Sequence, residues 1–125
     1  MKKKIAILGS TGSIGKTLLK IIKRDKKNFV IQLLSANKDY KTLFKQAKEF
    51  NVKNIVITNK QSFQIALYKS KNKNLKIYND FNCFKKIFKS KIDYVMSSIV
   101  GLDGLEPTLN IIKHTKKVAI ANKES

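Results

Sequence analysis

The sequence predicts an α/β fold in which a mostly parallel β-sheet is covered by helices on both faces. Short apolar runs alternate with segments whose apolar residues recur at helical spacing, and this alternation continues along all 125 residues. The apolar runs are continuous, which is typical of strands that are buried on both sides of a sheet. No linker or internal repeat divides the chain, and its length suits one hydrophobic core. We therefore expect a single domain over residues 1–125.

The first half of the chain predicts three strands and three helices. A strand over Lys3–Leu8 leads into glycine-rich sequence and then into a helix. The apolar residues of this helix recur at helical spacing and are Leu18, Leu19, Ile21 and Ile22. The remaining elements are strands at 29–35 and 55–57 and helices at 40–50 and 61–70. Each strand is thus followed by a helix, as parallel pairing requires.

The second half continues the alternation with shorter elements. They are a strand at 76–78, a helix at 80–89, a strand at 93–96, a helix at 105–114 and a strand at 117–121. Asp80 is the expected N-cap of its helix, and Pro107 fits a first helical turn, where its missing N–H costs nothing. His114 is predicted to be a solvated residue at a helix end, where its charge would favour the helix dipole, and neither a ligand nor a base.

The net charge of +19 is the most unusual feature of the composition. Such a charge is typical of proteins that bind nucleic acid or anionic membranes. However, Arg24 is the single arginine, and the lysines are spread along the whole chain. Forked recognition of phosphates and guanines favours arginine. We therefore interpret the lysines as a solvated surface that attracts anionic ligands such as a phosphorylated cofactor, and a basic nucleic-acid-binding module remains an alternative.

Two further features narrow the class of protein. Only Ile5 to Leu8 follow the basic start as an apolar run, whereas a secretory signal needs about 7–15 apolar residues. No apolar run reaches the 18 or so residues that cross a bilayer, so we expect a cytoplasmic protein with no membrane partner. Cys83 is the only cysteine and lies in apolar sequence, which predicts a buried, inert thiol.

The turn after the first strand contains three glycines at three-residue spacing, Gly9, Gly12 and Gly15. In dinucleotide-binding turns the first glycine allows a tight turn, the second lets the backbone approach the pyrophosphate, and the third lets the helix pack on the strand. The N–H groups at the helix start then face the anion. Together with the strand and helix order, this turn predicts a Rossmann-like, doubly wound fold. Glycine triplets alone also occur in ligand-free tight turns.

The spacing of the turn and the end of the second strand restrict the nucleotide. Lys16 and Thr17 follow Gly15, but a triphosphate loop requires a glycine where Ser10 stands. NAD-specific sites usually place a carboxylate at the end of the second strand. This chain has Asn37 and Lys38 there, and no carboxylate precedes Asp39. NADP(H) is therefore favoured over NAD(H), and a simple turn at Asn37 and Lys38 is the alternative.

Four segments resemble the 1-deoxy-D-xylulose 5-phosphate reductoisomerase family. They are residues 7–15 (ILGSTGSIG), 34–38 (LSANK), the pair 98–101 (SIVG) and 104–109 (GLEPTL), and 121–125 (ANKES). All four stand in the order that the family has, so the resemblance covers the whole chain. It implies an NADPH-dependent enzyme of non-mevalonate isoprenoid biosynthesis, which isomerises and reduces 1-deoxy-D-xylulose 5-phosphate to 2-C-methyl-D-erythritol 4-phosphate.

The resemblance also implies roles for single residues. Thr11, Gly12, Ser13 and Ile14, with Gly9 in the same turn, would hold the pyrophosphate of NADPH. Asn37 and Lys38 would lie near its 2′-phosphate, and Ile99 and Gly101 would line the cofactor cleft. Asn122 and Glu124 would contact the nicotinamide end, and Lys123 would contact the phosphorylated sugar substrate. Asp39 departs from the asparagine that many family members have, which brings a negative charge close to the phosphate pocket.

The family's metal site is expected to lie elsewhere in a full-length enzyme. Its divalent ion, Mg²⁺ or Mn²⁺, is held by acidic residues downstream of the ANKES segment, and the full-length enzymes are usually homodimers. The eight acidic residues of this chain are isolated in sequence, so we assign it no metal ligand. We therefore expect the chain to hold NADPH without completing catalysis. Another NADP-dependent oxidoreductase, such as a semialdehyde or homoserine dehydrogenase, explains the ANKES segment less well.

Overall fold

The computed structural model describes residues 2–72, 74–99, 111 and 113–120. Their strands form one six-stranded sheet in the order β4-β3-β2-β1-β5-β6, and every paired strand in it is parallel. The strands are β1 Lys3–Leu8, β2 Phe29–Ala36, β3 Asn54–Ile57, β4 Lys76–Tyr78, β5 Ile92–Ser97 and β6 Thr115–Ile120. The predicted α/β fold with a parallel sheet is confirmed.

The helices connect the strands and lie on opposite faces of the sheet. They are α1 Ser13–Lys23, α2 Tyr40–Glu49, α3 Lys60–Lys69 and α4 Phe84–Ile87, with 3-10 turns at Lys26–Asn28 and Phe81–Cys83. One core cluster joins β1, β2 and β3 to α1, α2 and α3, for example through Ile7, Leu19 and Leu43. The second cluster joins the other face of the same strands to Phe84 and Ile111. The sheet is therefore doubly wound.

Helix α1 packs on the sheet through a narrower stripe than the sequence predicts. Gly15, Leu19 and Ile22 are its buried residues, and they recur at helical spacing. Ile21 lies off this stripe and is 58% exposed. In α3, likewise, Ile65 and Leu67 are exposed, and Ala66 is the buried residue.

The predicted helix at 80–89 is shorter and interrupted. Asp80 is a cap, as predicted, but it caps the 3-10 turn by accepting a hydrogen bond from Asn82 N at 3.0 Å. Helix α4 follows and ends before Phe88, whose backbone is extended. The phenyl rings of Phe84 and Phe88 stack with 5.7 Å between their centroids. Both rings are buried in the second core cluster.

The residues before β6 correct the prediction for His114. Lys113 and His114 form a turn, in which His114 N donates to Ile111 O at 2.8 Å. The imidazole is half-buried, and its centroid lies 6.1 Å from those of Phe84 and Phe88. His114 is thus an aromatic packing residue and not a solvated helix end. Most of the predicted helix at 105–114, and Ala121 of the predicted last strand, lie outside the described residues.

The structure also describes the single cysteine and the lengths of the helices. Cys83 is buried, as predicted, and its burial raises the pKa of the thiol to about 11. A thiol with so high a pKa is almost entirely protonated near neutrality and is a poor nucleophile. Within the described ranges, no helix is long and apolar enough to span a bilayer.

Candidate functional site

The glycine-rich turn lies at the carboxyl ends of β1 and β5. Strand β1 pairs with β2 on one side and with β5 on the other. Strands β2, β3 and β4 extend the sheet on one side of β1, and β5 and β6 extend it on the other side, so the strand order reverses at β1. Such a switch point creates a crevice outside the sheet, where doubly wound proteins bind ligands. Ser98 closes one side of the crevice, because its N–H donates to Leu8 O at 2.9 Å and its Oγ donates to Gly9 O at 2.8 Å.

The three glycines of the turn have three different surroundings. Gly9 has a φ of +78°, which side chains rarely allow, and a Cβ there would lie 3.0 Å from Ser98 Oγ. A Cβ on Gly15 would lie 2.5 Å from Ser10 Cα, so α1 contacts the turn backbone directly. A Cβ on Gly12 would meet only Gly9 O, at 3.7 Å. Gly12 therefore faces open space, whereas Gly9 and Gly15 are enclosed by protein.

A buried polar network holds the turn against β2 and α2. Ser10 is fully buried, and its Oγ donates to Gln46 Oε1 at 2.7 Å. Gln46 Nε2 donates in return to Ser10 O at 3.0 Å. Ser10 N donates to Ser35 O, and Gly9 N donates to Ser35 Oγ, both at 2.9 Å. Because buried polar atoms are costly to leave unpaired, this reciprocal bonding fixes the conformation of the turn.

The start of α1 differs from the other long helix starts in the described part of the chain. Gly12 is the N-cap of α1, and no side chain caps this helix. At α2 and α3, by contrast, Asp39 accepts from Thr42 N and Asn59 accepts from Ser62 N. The amides of the first turn of α1 therefore have no side-chain acceptor, and they lie beside the open face of Gly12. Amides at a helix start, with the positive end of the helix dipole, form a site for an anion.

The end of β2 lies next to this turn. Asn37 and Lys38 are both exposed there, as a phosphate contact requires. Asn37 Oδ1 accepts from Thr58 Oγ1 at 2.9 Å, and Asn37 O accepts from Asn59 N at 3.0 Å. These bonds fix Asn37 against the end of β3. Its side-chain oxygen is therefore occupied by the protein, which leaves the amide NH₂ as the part that could donate to a phosphate.

Asp39 is bonded to its own helix. Hydrogen bonds from the side chain and the backbone of Thr42 hold the pKa of the Asp39 carboxyl below its usual value, and the charges of Lys16 and Lys45 lower it further. The bond from Thr42 N is 3.1 Å long. The carboxylate is thus the N-cap of α2, where a negative charge is stabilising. This capping role explains an acidic residue beside a predicted phosphate pocket.

The structure brings most of the predicted residues to one edge of the sheet. Gly9, Thr11 and Gly12 belong to the turn, and Ser13 and Ile14 begin α1. Ile99 follows β5 beside the turn, with its Cγ1 3.3 Å from a Cβ built on Gly9. Gly101, Asn122, Lys123 and Glu124 lie outside the described residues. Within the described ranges, no three His, Cys, Asp or Glu side chains lie close enough together to hold a metal ion.

Four supporting residues were missed by the sequence predictions. Ser10, Ser35, Gln46 and Ser98 all bond to the turn or to each other. The serines have one recognisable signal, since each lies where an apolar strand ends. Gln46 has none, because its position among the apolar residues of α2 is typical of any partly buried helical residue. Only the tertiary contact identifies it.

Comparisons with known proteins agree with this geometry. The family described as 1-deoxy-D-xylulose 5-phosphate reductoisomerase matches residues 5–125. The chain is similar to the 1-deoxy-D-xylulose 5-phosphate reductoisomerase of Pelagibacter ubique, with 60% identity over 98% of the chain and 32% of that protein. It is 39% identical to the protein of the same name from Phocaeicola vulgatus, over 100% of the chain and 33% of that protein. The chain thus spans about a third of the length of the curated relatives it matches.

Solved structures give the same result. The chain is similar to the 1-deoxy-D-xylulose 5-phosphate reductoisomerase from Zymomonas mobilis in complex with NADPH, with a TM-score of 0.86 and 29% identity over 98% of the chain and 32% of that chain. A DOX-P reductoisomerase in complex with magnesium has a TM-score of 0.84 and 30% identity over 100% of the chain and 32% of that chain. A further related structure contains NADPH, fosmidomycin and magnesium. The Rossmann-like fold predicted from sequence is confirmed.

Proposed function

Because the chain belongs to the 1-deoxy-D-xylulose 5-phosphate reductoisomerase family, we propose that residues 1–125 form its NADPH-binding domain. The complete enzyme would be an NADP-dependent oxidoreductase. It would isomerise 1-deoxy-D-xylulose 5-phosphate and reduce the product to 2-C-methyl-D-erythritol 4-phosphate. Bound NADPH would supply the hydride, and this domain would bind and orient it.

The open face of Gly12 carries the proposal. A pyrophosphate needs backbone N–H donors and room for its oxygens, and both occur together at the start of α1. The enclosed glycines on either side keep the turn in this shape. Thr11, Ser13 and Ile14 would then present their backbone to the phosphate oxygens. Their sequence position alone could not separate this role from that of an ordinary turn, whereas the open space beside Gly12 favours a ligand.

A preference for NADPH over NADH follows from the charges at the end of β2. A carboxylate that accepts bonds from the ribose 2′-hydroxyl marks NAD sites, and here Asp39 is engaged with Thr42 instead. Lys38 is exposed and cationic, and Asn37 can donate its NH₂. We expect these two residues to face the 2′-phosphate.

The remaining roles rest on the resemblance. Ile99 and Gly101 would line the cleft, Asn122 and Glu124 would contact the nicotinamide end, and Lys123 would contact the substrate. Lys123 could stabilise negative charge that develops on substrate oxygens. The magnesium in the related structures suggests a divalent ion for the complete enzyme, with its ligands outside the residues described here. We further propose that the complete enzyme is a homodimer in the cytoplasm.

Titration of both cofactors by fluorescence tests the proposal. We expect the chain to bind NADPH about tenfold or more tightly than NADH, because bonds to a charged phosphate contribute about 1.5–3 kcal/mol. Equal affinities, or tighter binding of NADH, would contradict the roles of Asn37 and Lys38. Salt-dependent DNA binding without any NADPH preference would support the nucleic-acid alternative instead.

Substitution of Gly12 tests the pyrophosphate site. Gly12→Val should weaken NADPH binding by about a hundredfold, because the side chain fills the space of the phosphate oxygens and separates them from the amides. The helix and strand signals in circular dichroism should persist, since a Cβ at this position meets only Gly9 O, at 3.7 Å. Ile21→Val, on the exposed side of the same helix, is the matched control. Unchanged NADPH affinity in Gly12→Val would show that the glycine-rich turn has only a structural role and does not bind the pyrophosphate.

A further inference from the structure

Hydrogen bonds join the ends of β2 and β3 beyond their last paired residues. The two strands are neighbours and parallel, so their carboxyl ends meet at the edge of the sheet that carries the glycine-rich turn. Thr58 N donates to Ala36 O at 3.1 Å, and Asn59 N donates to Asn37 O at 3.0 Å. These bonds tie the backbone that follows β3 to the backbone at the end of β2.

Asn79 holds the same backbone from the side of β4. It follows that strand, and its Nδ2 donates to Ile57 O at 2.9 Å and to Thr58 O at 3.3 Å. The main chain of Thr58 is therefore bonded both to the end of β2 and to Asn79. None of these bonds involves the hydroxyl of Thr58. A substitution that removes only this hydroxyl should thus leave the local backbone in place.

The hydroxyl of Thr58 bonds instead to the side chain of Asn37. Thr58 Oγ1 donates to Asn37 Oδ1 at 2.9 Å, across 21 positions of sequence. The neighbouring Asn59 side chain, by contrast, accepts from Ser62 N in its own helix. An unrestrained asparagine amide can rotate and present either its oxygen or its NH₂ group, and only the NH₂ group can donate to a phosphate. Because Thr58 engages the oxygen, the NH₂ group is the free end of the amide.

We propose that Thr58 is a positioning residue for cofactor specificity, which orients the Asn37 amide so that its NH₂ group faces the 2′-phosphate of the dinucleotide. The inference rests on the proposed function, in which Asn37 and Lys38 lie near that phosphate. Thr58 acts through Asn37 and not by contact with the ligand. It holds the binding conformation in advance, which lowers the entropic cost of ordering the side chain on binding.

The test measures the affinities of Thr58→Val and Thr58→Ser for NADPH and NADH. Valine keeps the shape of threonine without its hydroxyl, whereas serine keeps the hydroxyl. Thr58→Val should weaken NADPH binding by about three- to fivefold and NADH binding by less than about 1.5-fold, as the loss of one hydrogen bond implies. Thr58→Ser should keep both affinities to within about twofold. Equal losses for the two cofactors in Thr58→Val, or the same loss in Thr58→Ser, would overturn the inference.

Asn54→Ala is the matched control. Asn54 begins β3, and its Nδ2 donates to Gln32 O of β2 at 3.3 Å. The variant thus removes a side-chain bond between the same two strands, but at the other end of β3. Both affinities should stay unchanged. A selective loss of NADPH affinity in this control would mean that any weakened contact between β2 and β3 changes the specificity, and the role of Thr58 would fail.

A double-mutant cycle shows whether Thr58 acts through Asn37. In an Asn37→Ala background, Thr58→Val should change the NADPH affinity by less than about 1.5-fold, because the group that Thr58 orients is then absent. An effect as large as in the unmodified background would show that Thr58 acts independently of Asn37 and would overturn the inference.

A measurement without cofactor separates this inference from the proposed function. NMR relaxation of the Asn37 side-chain amide should give a lower order parameter in Thr58→Val and an unchanged one in Thr58→Ser and Asn54→Ala. If the order parameter does not fall, Thr58 does not orient the amide, and the inference fails whatever the cofactor affinities are. If it falls but the unmodified chain binds NADPH no better than NADH, the orientation exists and the proposed function fails, together with the specificity role.

Discussion

The starts of α1 and α2 resemble each other in position but not in bonding. Both follow the carboxyl end of a parallel strand at the same edge of the sheet. At α2, Asp39 caps the helix by accepting a bond from Thr42 N, while at α1 the N-cap is Gly12 and no side chain caps the helix. The capped start is stabilised by its own chain. The uncapped start has amides that are available to bind an anion. The buried contacts of Ser10, Gln46 and Gly15 hold this start in place.

This difference separates residues that stabilise the fold from residues that bind. Substitutions at the buried residues that support the turn, such as Gln46 and Gly15, should reduce the stability of the fold. Substitutions at its open face, such as at Gly12, should reduce the affinity for NADPH. At α3, the cap should affect stability alone. The following predictions test this division, and the largest expected loss of stability comes first.

Gly15→Ala should destabilise the chain by about 3 kcal/mol or more. The new methyl group would lie 2.5 Å from Ser10 Cα and 2.6 Å from Gly9 O, which are backbone atoms that cannot move independently. Chemical denaturation gives the free energy of unfolding. Gly12→Ala is the control and should lose about 1 kcal/mol or less, because its methyl group meets only Gly9 O at 3.7 Å and the change affects only the N-cap. Equal losses in the two variants would contradict the division.

Gln46→Leu should cost about 2 kcal/mol. The substitution keeps the volume of the side chain and removes its bonds to Ser10, which leaves a buried hydroxyl and a buried carbonyl with fewer partners. The matched control is Gln64→Leu on the exposed surface of α3, which should change the free energy of unfolding by less than about 0.5 kcal/mol. A stable Gln46→Leu variant would show that the network does not hold the turn.

Asn59→Ala should cost about 1 kcal/mol, the usual loss for an N-cap. It removes the side-chain oxygen that accepts from Ser62 N at 2.9 Å. Because α3 follows β3, away from the switch point between β1 and β5, NADPH affinity should not change. A loss of affinity in this variant would mean that helix caps and ligand contacts are not separable here.

Acid should weaken the cap of α2 by a smaller amount. Because the folded-state pKa of Asp39 lies below its unfolded value, the stability that it contributes is present above the unfolded pKa and is lost as the pH falls through the folded pKa. Since the group is largely exposed, we expect a fraction of 1 kcal/mol. Urea midpoints below about pH 4 should fall less in Asp39→Asn than in the unmodified chain. Identical slopes would show that the cap is not titrating.

Much of the fold was predictable because the apolar pattern specifies it. The apolar runs identified β1 and β4 with their observed bounds, and they placed β2 and β3 to within one residue. The helix at 80–89 was wrong in length, because the apolar pattern does not show that Phe81–Cys83 form a 3-10 turn and that α4 ends at Ile87. Ile21 shows the same limit, since helical spacing alone does not say which apolar residue faces the sheet.

The part of the site that depends on local backbone conformation, the glycine-rich turn, was predictable from the sequence. Glycine spacing indicates a turn, and the structure gives the three glycines three distinct environments, which sequence could only suppose. The network of Ser10, Ser35 and Gln46 joins residues that are 25 to 36 positions apart. Their polar side chains resemble surface residues in any local window. The N-cap role of Asp39 was within reach of the sequence, because the predicted helix at 40–50 begins directly after this aspartate.

The contacts of Ser98 imply an order of assembly for this edge of the sheet. Its side chain reaches Leu8 O across 90 positions of sequence, whereas Ser10 reaches Ser35 O across 25. Closing the longer loop costs more chain entropy, and a chain that emerges during synthesis contains β2 long before β5. The turn should thus form its contacts with β2 first, and the side that Ser98 closes should remain open until β5 pairs with β1. In pulse-labelled refolding, the amide of Ser10 should gain protection from exchange before that of Ser98, so that the crevice is completed late.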